Sequence, residues 1–261
     1  MKKLFFVPAL MLVVLAANAQ FNVQLHYDFG RPLAPTSQEN RQAFTITTEF
    51  FKADKLGSTY MFVDLDVRGH GTHNKDARGA YWEMGRDFTF LNLNDNATSF
   101  TAHVEYDAGL SVGGGAFQQA ALVGPALQWH NSNFSKTFTL QLLYKQYFRH
   151  STEEAVNKAH ASFQVTPVWG ITFAKGLCTF SGFADLWYGY IPSFKNNGEQ
   201  KKGLVFLSEP QFWFNVYGKD RQNDKFSIGT EVEISNNFIF PDNKKKQTFF
   251  VNPTIALKYT F

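Results

Sequence analysis

Residues Thr248 to Phe261 read TFFVNPTIALKYTF. Apolar and polar side chains alternate along it, and successive side chains of a β-strand point to opposite faces. One face carries Phe249, Val251, Pro253, Ile255, Leu257, Tyr259 and Phe261. The other face carries Thr248, Asn252, Thr254, Lys258 and Thr260. The stretch therefore predicts a strand with one apolar and one polar face.

The same alternation, bounded by turn signals, recurs along the chain about twelve times. At roughly 20 residues for each strand and its connection, the spacing fits membrane-crossing strands of about 10 residues. We predict strands over residues 22–29, 42–52, 59–68, 81–91, 100–112, 119–129, 137–148, 161–173, 177–188, 204–216, 226–235 and 248–261. Four prolines fall inside these strands, where each removes a ladder donor and so indicates a bulge or a rim: Pro125, Pro167, Pro210 and Pro253.

Long and short connections alternate between these strands. The long ones are 31–40, 69–79, 149–159, 190–202 and 236–247, and the shorter ones are 53–57, 92–98, 131–135, 174–176 and 218–224. This asymmetry is typical of an outer-membrane barrel, whereas a soluble β-sandwich, the alternative fold, has no reason to show it. The predicted fold class is all-β: a transmembrane antiparallel up-and-down β-barrel of about 12 strands.

The first 19 residues have the composition of a secretory signal peptide. Lys2 and Lys3 precede an apolar run from Leu4 to Ala17, and Ala17-Asn18-Ala19 offers a small-x-small cleavage site. The apolar run is too short to count as a membrane span. We predict a signal peptide over 1–19 and one barrel domain over 20–261.

Composition excludes several classes of protein. Aromatic residues make up 17% of the chain, yet no later segment is long and apolar enough for a transmembrane helix. Without Lys2 and Lys3 the basic residues fall from 25 to 23 against 22 acidic ones, a balance that implies no nucleic-acid partner. A single cysteine, Cys178, rules out an internal disulfide, and its position in the alternation places it on the lipid side.

The last strand resembles the closing strand of Gram-negative outer-membrane barrels, which ends on an aromatic residue. The resemblance implies that the barrel assembly machinery binds the chain through Phe261. It also implies a location in the outer membrane, with outer-membrane lipid around the barrel. We expect the polar face of this strand to pair beside Gln24, His26 and Asp28 of the first strand and so to close the barrel.

Carboxylates recur on the faces opposite the apolar ones: Asp28, Asp64, Asp66, Glu83, Glu105, Asp107, Asp185, Glu209, Glu231 and Glu233. A charge facing lipid is costly, so these faces are expected to line the lumen. One interpretation is a salt-bridged filling, in which Arg68, Arg86, Lys145 and Lys258 neutralise the acids. The other is a solute pathway, in which carboxylates bind hydroxyl groups and Tyr60, Phe62, Trp187 and Trp213 stack on flat rings.

Several motifs resemble those of the Tsx-like nucleoside-specific channels, and still more those of an uncharacterised outer-membrane family related to them. They are Tyr60-x-Phe62-x-Asp64-x-Asp66, Tyr81-Trp82-Glu83, Phe180-Ser181-Gly182-Phe183-Ala184-Asp185 and Glu209-Pro210-Gln211. The resemblance implies a twelve-stranded barrel that passes nucleosides. The channel-lining residues that we predict are Phe62, Asp64, Asp66, Glu83, Asp185, Glu209, Trp213 and Glu231.

Enzymatic alternatives have weaker support in the sequence. His26, His103, His160 and Ser162 are candidates for a barrel hydrolase, but no Gly-x-Ser-x-Gly elbow is present. Gly69-His70-Gly71-Thr72-His73 lacks further ligands at a recognised metal spacing, and Gly113-Gly114-Gly115 lacks the Gly-Lys-Ser/Thr of a phosphate loop. We therefore predict no catalytic residues, no metal and no cofactor.

The sequence predicts a passive outer-membrane channel for nucleosides or similar small hydroxylated solutes. Two other functions stay open. The barrel could be structural or surface-binding without transporting anything, or, as a third possibility, it could be a lipid-modifying enzyme.

Overall fold

The computed structural model describes residues 19–29, 43–67, 77–94, 97–111, 115–116, 118–149, 158–191, 201–216, 225–238 and 248–261. These residues form twelve barrel strands, which confirms the predicted all-β fold and strand number. The strands are β1 (Ala19–Asp28), β2 (Phe44–Asp54), β3 (Gly57–Val67), β4 (Ala77–Leu93), β5 (Thr98–Ser111), β6 (Ala120–His130), β7 (Lys136–Tyr147), β8 (His160–Phe173), β9 (Cys178–Ile191), β10 (Lys201–Ser208 and Gln211–Asn215), β11 (Phe226–Asn236) and β12 (Phe249–Thr260). A two-residue strand, Gly115–Ala116, pairs beside β5, and a 3-10 turn, Ala174–Gly176, follows β8.

The strands pair antiparallel in chain order, and β1 pairs with β12 to close the sheet. Gln24 lies opposite Lys258, His26 opposite Ala256, and Asp28 opposite Thr254, so the predicted closure of the first strand on the last is confirmed. Closure leaves no exposed sheet edge, which a barrel in hydrocarbon requires because unpaired backbone groups there are costly.

The outer face of the barrel is apolar. The register places large side chains outward on every strand, and many are more than a third exposed, among them Leu25, Leu65, Met84, Val104, Leu142, Phe163, Leu186, Leu204, Phe212, Ile228, Val251 and Ile255. Cys178 also lies on this face, opposite Phe173. Such a surface suits a membrane-embedded barrel. None of the helical segments among the described residues is long and apolar enough to cross a membrane.

The four prolines lie at positions where the backbone pairs with a neighbouring strand on one side or not at all. Pro210 lies with Glu209 between the two segments of β10. Pro125 pairs with β5 and is missing from the β6–β7 pairs. Pro167 pairs with β7 and is missing from the β8–β9 pairs, and Pro253 pairs with β11 and is missing from the β1–β12 pairs. Each proline inside a strand therefore bonds to one neighbouring strand.

Side-chain hydroxyls also bridge strands close to Pro253 and Pro210. Thr230 Oγ1 donates to the carbonyl oxygen of Thr254 at 2.5 Å, and Ser208 Oγ donates to that of Phe183 at 2.8 Å. These contacts satisfy backbone acceptors beside the interruptions of the ladder.

Several predictions fall outside the described residues. They include nearly all of the signal peptide, Arg68, the Gly69 to His73 motif and most of the longer connections. The turns 55–56, 131–135 and 174–177 are described. They lie at the barrel end where the backbone N–H of Phe261 donates to Phe21.

Candidate functional site: the lumen

The strand register turns all eight predicted lining residues toward the lumen. Phe62 lies opposite Glu83, Asp64 opposite Thr47, and Asp66 opposite Thr45. Glu231 lies opposite Gln211, and Trp213 opposite Thr179. Asp185 accepts a hydrogen bond from the lumen-facing Thr166 at 2.5 Å, and Glu209 follows the same alternation in the break of β10.

An aromatic track, formed by Tyr60, Phe62 and Tyr81, runs along the β3–β4 wall. The ring centroids of Tyr60 and Phe62 are 6.1 Å apart, and those of Phe62 and Tyr81 are 6.0 Å apart. Tyr60 faces inward and is still 41% exposed, so the lumen beside it is open to water. Phe62 itself is buried, so the flat faces that this track leaves to a solute are those of Tyr60 and of the half-buried Tyr81.

Carboxylates flank this aromatic track on both sides. Tyr60 donates from its hydroxyl to Glu49 at 3.3 Å, and Tyr81 donates to Glu83 at 2.8 Å. Thr47 Oγ1 donates to Asp64 at 2.5 Å. The hydroxyl groups of the wall thus hold the carboxylates in place beside the rings.

Three carboxylates converge at mid-height on β4 and β5. One oxygen each of Glu83, Glu105 and Asp107 lies within 4.8 Å of the others. Lys145 Nζ is 3.0 Å from Asp107 Oδ2 and donates to Gln164 at 2.9 Å. This lysine offsets part of the negative charge, so the cluster is a charge-compensated wall of the lumen.

His103 joins Glu105 of this cluster to one further carboxylate, Asp87, on the same wall. Its Nδ1 is 2.9 Å from Asp87, and its Nε2 is 3.1 Å from Glu105. Sequence reasoning missed Asp87 and also Glu49 as inward acids. Strict alternation within their strands would have found both, because Glu49 shares a face with Thr45 and Thr47, and Asp87 shares one with Glu83.

Trp213 lies in the half of the lumen where β1 begins and β12 ends, and it is fully covered. Its side chain is 0% exposed, and its Nε1 donates to Gln211 at 2.9 Å. Gln211 donates in turn to Glu231 at 2.6 Å. The ammonium of Lys258 lies 4.0 Å from the centre of the Trp213 ring, and His26 meets the ring edge at 6.2 Å. This indole therefore fills the lumen and offers no free face for a solute to stack on.

The expected neutralisation of lumen acids by Arg86 is wrong. Arg86 lies opposite Thr59 on the outer face of β4, and both of its terminal nitrogens bond to Asp54 at 2.8 Å. The side chain reaches the 55–56 turn, where the barrel meets the membrane boundary and a charge is tolerated.

The described part of the lumen carries a large excess of acid. Its inward carboxylates are Asp28, Glu49, Asp64, Asp66, Glu83, Asp87, Glu105, Asp107, Asp185, Glu209, Glu231 and Glu233. Among the lysines whose side chains the structure describes, Lys145 and Lys258 lie inward on their strands. A lumen of this composition favours neutral or cationic solutes over anions.

His160 and Ser162 make separate contacts with the backbone. Ser162 Oγ donates to the carbonyl oxygens of Tyr188 and Phe163. His160 Nδ1 donates to the carbonyl oxygen of Lys158 at 2.9 Å, and its ring stacks on Tyr147 at 4.5 Å. This arrangement does not orient the hydroxyl toward the imidazole, as a nucleophile and its base require.

We compared the chain with protein-family models, curated proteins and solved structures. No curated protein matches the sequence. The NanC porin structure has a TM-score of 0.54 at 11% identity, covering 92% of this chain and 98% of the porin. LpxR from Salmonella typhimurium scores 0.42 at 7% identity, with 93% and 100% covered. The outer membrane channel DcaP of Acinetobacter baumannii scores 0.39 at 10% identity, with 94% and 98% covered. At 11% identity, the porin match shows the fold alone. A family model described as a domain of unknown function (DUF5020) matches residues 19–261, so the chain belongs to the DUF5020 family.

Proposed function

We propose that the protein is a passive outer-membrane channel for nucleosides or similar small hydroxylated solutes. The observation that carries the proposal is the aromatic track with carboxylates on both sides, set in a part of the lumen that is open to water. Tyr60 is 41% exposed, and its hydroxyl donates to Glu49.

The chemistry of this wall suits a solute with a flat ring and several hydroxyl groups. A base or sugar ring gains apolar contact on the faces of Tyr60 and Tyr81. Its hydroxyl groups donate to Asp64 and Glu83, since carboxylates accept several hydrogen bonds. Repeated weak sites of this kind favour passage, because a solute held at one tight site leaves slowly.

Support for the nucleoside class comes from the motifs shared with Tsx-like channels. Phe62, Asp64 and Glu83 stand in those motifs and lie together on the β3–β4 wall. The excess of lumen acids adds a reason to expect discrimination against anionic solutes such as nucleotides.

The outer membrane is the proposed location. The apolar outer face, the signal peptide predicted over 1–19 and the aromatic residue Phe261 support it. On this proposal the barrel contacts outer-membrane lipid and is inserted by the barrel assembly machinery through Phe261. It acts without a catalytic residue, cofactor or metal, and without nucleic acid.

A structural or surface-binding barrel that transports nothing is the second candidate. The observation that favours it is the dense packing of part of the lumen, where Trp213 and Gln24 are both 0% exposed. A lumen closed by such packing around its whole circumference would pass no solute.

Swelling of liposomes that contain the purified protein distinguishes these functions. We expect thymidine to enter at a rate that saturates with concentration, and thymidine monophosphate to enter at least about tenfold more slowly because the lumen is acidic. Asp64→Ala and Glu209→Ala should alter the half-saturating concentration, whereas Arg86→Ala, on the outer face, should not. Equal entry of both solutes, or no change in either lumen variant, would refute the nucleoside assignment. The absence of any swelling would favour the structural barrel.

A further inference from the structure

We propose that the seam between β8 and β9 is a lateral portal, through which the apolar tail of an amphiphile passes between the lumen and the membrane. The inference goes beyond the proposed passage of nucleosides, and it needs only that the barrel lies in lipid. It comes from the one long stretch of the described barrel where two neighbouring strands both continue without pairing with each other.

The backbone ladder between β8 and β9 ends early. Its last pair joins Trp187 to Gln164, at the barrel end away from the 174–177 turn. Beyond that pair, residues 160–163 still pair with β7 and residues 188–191 still pair with β10, but the two runs do not pair with each other. At the other seams of the described barrel, the pairs continue until one strand ends, apart from interruptions of one or two residues. The wall is therefore split over four residues on each strand.

The ladder next to the split is itself short. Pro167 has no N–H to donate and is missing from the β8–β9 pairs. Two pairs, Leu186 with Val165 and Trp187 with Gln164, separate this interruption from the split. Extending the split as far as Pro167 would therefore break few backbone hydrogen bonds, and a region held by few such bonds opens at low cost in free energy.

Side chains close the split in place of backbone pairs. Ser162 Oγ donates to the carbonyl oxygen of Tyr188 and so takes the place of a backbone donor. On the outer face, the rings of Phe163 and Tyr188 stack with their centroids 6.4 Å apart and their planes 8° from parallel. The edge of one ring meets the other at 5.0 Å between His160 and Tyr190. Because side chains change rotamer faster than a paired strand moves, this closure opens without unfolding of the barrel.

Phe163 also borders a groove on the outer face, on the side away from Tyr188. The groove has a volume of about 370 Å³, and the outward side chains that line it are those of Leu142, Tyr144, Phe163 and Val165. The Phe163 side chain is 49% exposed, so little protein holds its ring against Tyr188. The groove gives the ring room to turn toward β7, and this movement uncovers the split.

Two small residues face the lumen at the split. Continuing the register from the pair of Trp187 and Gln164 places Gly189 opposite Ser162. The Trp187 indole lies against Gly189, where a Cβ would be 3.2 Å from both Cδ1 and Nε1 of the indole. One indole and one hydroxyl group therefore cover the inner side of the split. The indole also gives this part of the lumen an apolar surface beside the acidic walls.

The surroundings on the two sides of the split determine which solutes suit it. On the outer side the split meets hydrocarbon, which favours an alkyl chain or another apolar tail. On the inner side it meets a lumen with a large excess of carboxylates, which favours a head group that is uncharged or cationic. Hydroxyl groups on such a head find acceptors in these carboxylates. The class that we infer is amphiphiles with an apolar tail and a head that bears hydroxyl or amino groups.

Photolabelling of the protein in lipid nanodiscs tests the portal. The probe is octyl glucoside with a diazirine at the end of its tail, and labelled residues are identified by mass spectrometry. In the background Cys178→Ser, the variant Phe163→Cys with Tyr188→Cys is locked across the split by a short bis-methanethiosulfonate. The matched control lock is Leu65→Cys with Ala80→Cys, two outward positions that lie opposite each other on the continuous β3–β4 ladder.

We expect the tail to label the inward Trp187, and the unlocked Phe163 and Tyr188 variant to be labelled there at least about threefold more, because the covering rings are gone. The lock should reduce this labelling at least about fivefold, since it prevents local opening, whereas the control lock should not. Labelling of Trp187 no greater than that of Tyr60, which faces inward on the paired β3, would overturn the portal. So would labelling that is insensitive to the lock, or failure of the reagent to join the two thiols.

Thymidine entry into liposomes, measured with the same locked protein, separates this inference from the proposed function. Entry that persists when the lock has abolished labelling supports a portal distinct from the nucleoside path. If labelling follows the expected pattern and thymidine does not enter even without the lock, the portal stands and the channel proposal fails.

Discussion

The ammonium of Lys258 lies 4.0 Å from the centre of the Trp213 ring, inside the half of the barrel where β1 begins and β12 ends. The indole is fully buried, and Gly229 makes room for it, since a Cβ there would lie 2.4 Å from Trp213 Cε3. A cation over an indole face is attractive, more so where water is excluded. This contact joins β10 to β12 and packs this part of the lumen.

Removal of the indole should widen the channel. In Trp213→Ala we expect single-channel conductance to rise about twofold and discrimination between thymidine and its monophosphate to fall, since a constriction limits passage. Trp129→Ala, which removes an outward indole, is the matched control. Identical conductance in wild type and Trp213→Ala would show that this side chain borders no pathway.

An added Cβ would meet atoms that cannot easily move at Gly229, and a side chain that can rotate at Gly170. A Cβ at Gly229 would meet the Phe212 carbonyl oxygen at 2.4 Å as well as the indole, whereas at Gly170 it would meet the rotatable hydroxyl of Thr137 at 2.8 Å. Gly229→Ala should cost about 1–3 kcal/mol of unfolding free energy through overpacking, and Gly170→Ala much less. Urea unfolding in lipid vesicles measures both, and a loss in Gly229→Ala no larger than the loss in Gly170→Ala would contradict this difference.

Solute binding should depend on the aromatic track. Stacking of a base on an aromatic ring is worth about 1–3 kcal/mol, so Tyr60→Ala or Tyr81→Ala should weaken thymidine binding by roughly tenfold. Phe88→Ala removes a ring that is exposed on the outer face and serves as the control. Binding is read as the concentration that half-saturates liposome entry. If both tyrosine variants keep the wild-type value, the track does not bind the solute.

Removing one partner of the Lys145–Asp107 ion pair should destabilise the fold more than replacing both partners. Their Nζ and Oδ2 atoms are 3.0 Å apart, and both side chains are buried. Lys145→Met leaves Asp107 unpaired near Glu83 and Glu105, which should cost about 3–5 kcal/mol. Adding Asp107→Leu removes the orphaned charge and should restore much of that loss. Urea unfolding of the two variants gives the comparison, and a double variant less stable than the single one would contradict this account.

Arg86 should matter little to either folding or passage. Its pair with Asp54 is at the barrel end, where Asp54 is exposed, and exposed ion pairs contribute about 0–1 kcal/mol. Arg86→Ala is expected to keep wild-type conductance and cation preference, measured from the reversal potential in a salt gradient. A shift of that potential would place the guanidinium in the ion pathway after all.

The alternation of apolar and polar residues predicted most of the strands and which of their residues face inward. It placed Asp64, Glu83 and Glu231 inward, because a strand with one face in lipid cannot exchange its two faces. The sequence also predicted the pairing of Gln24 with the closing strand. Arg86 was assigned to the lumen although it is three residues from Glu83 and so on the opposite face; alternation alone would have corrected this assignment.

Packing inside the lumen could not be predicted in the same way. Whether Trp213 offers an open face or fills space depends on Gly229, Lys258 and His26, which come from three other strands. No local pattern encodes such a contact. The break at Glu209 and Pro210 was foreshadowed by the proline, but the pairing of Pro125 and Pro253 with a single neighbouring strand depends on the register of the sheet.

Planar-bilayer recording with thymidine distinguishes a nucleoside channel from a barrel that passes no solute. We expect discrete single-channel currents that thymidine reduces in a saturable manner, with thymidine monophosphate at least about tenfold less effective because the lumen is acidic. The block should weaken in Asp64→Ala and remain in Arg86→Ala. Currents that are indifferent to thymidine would contradict the nucleoside assignment, and the absence of any current would contradict the channel itself.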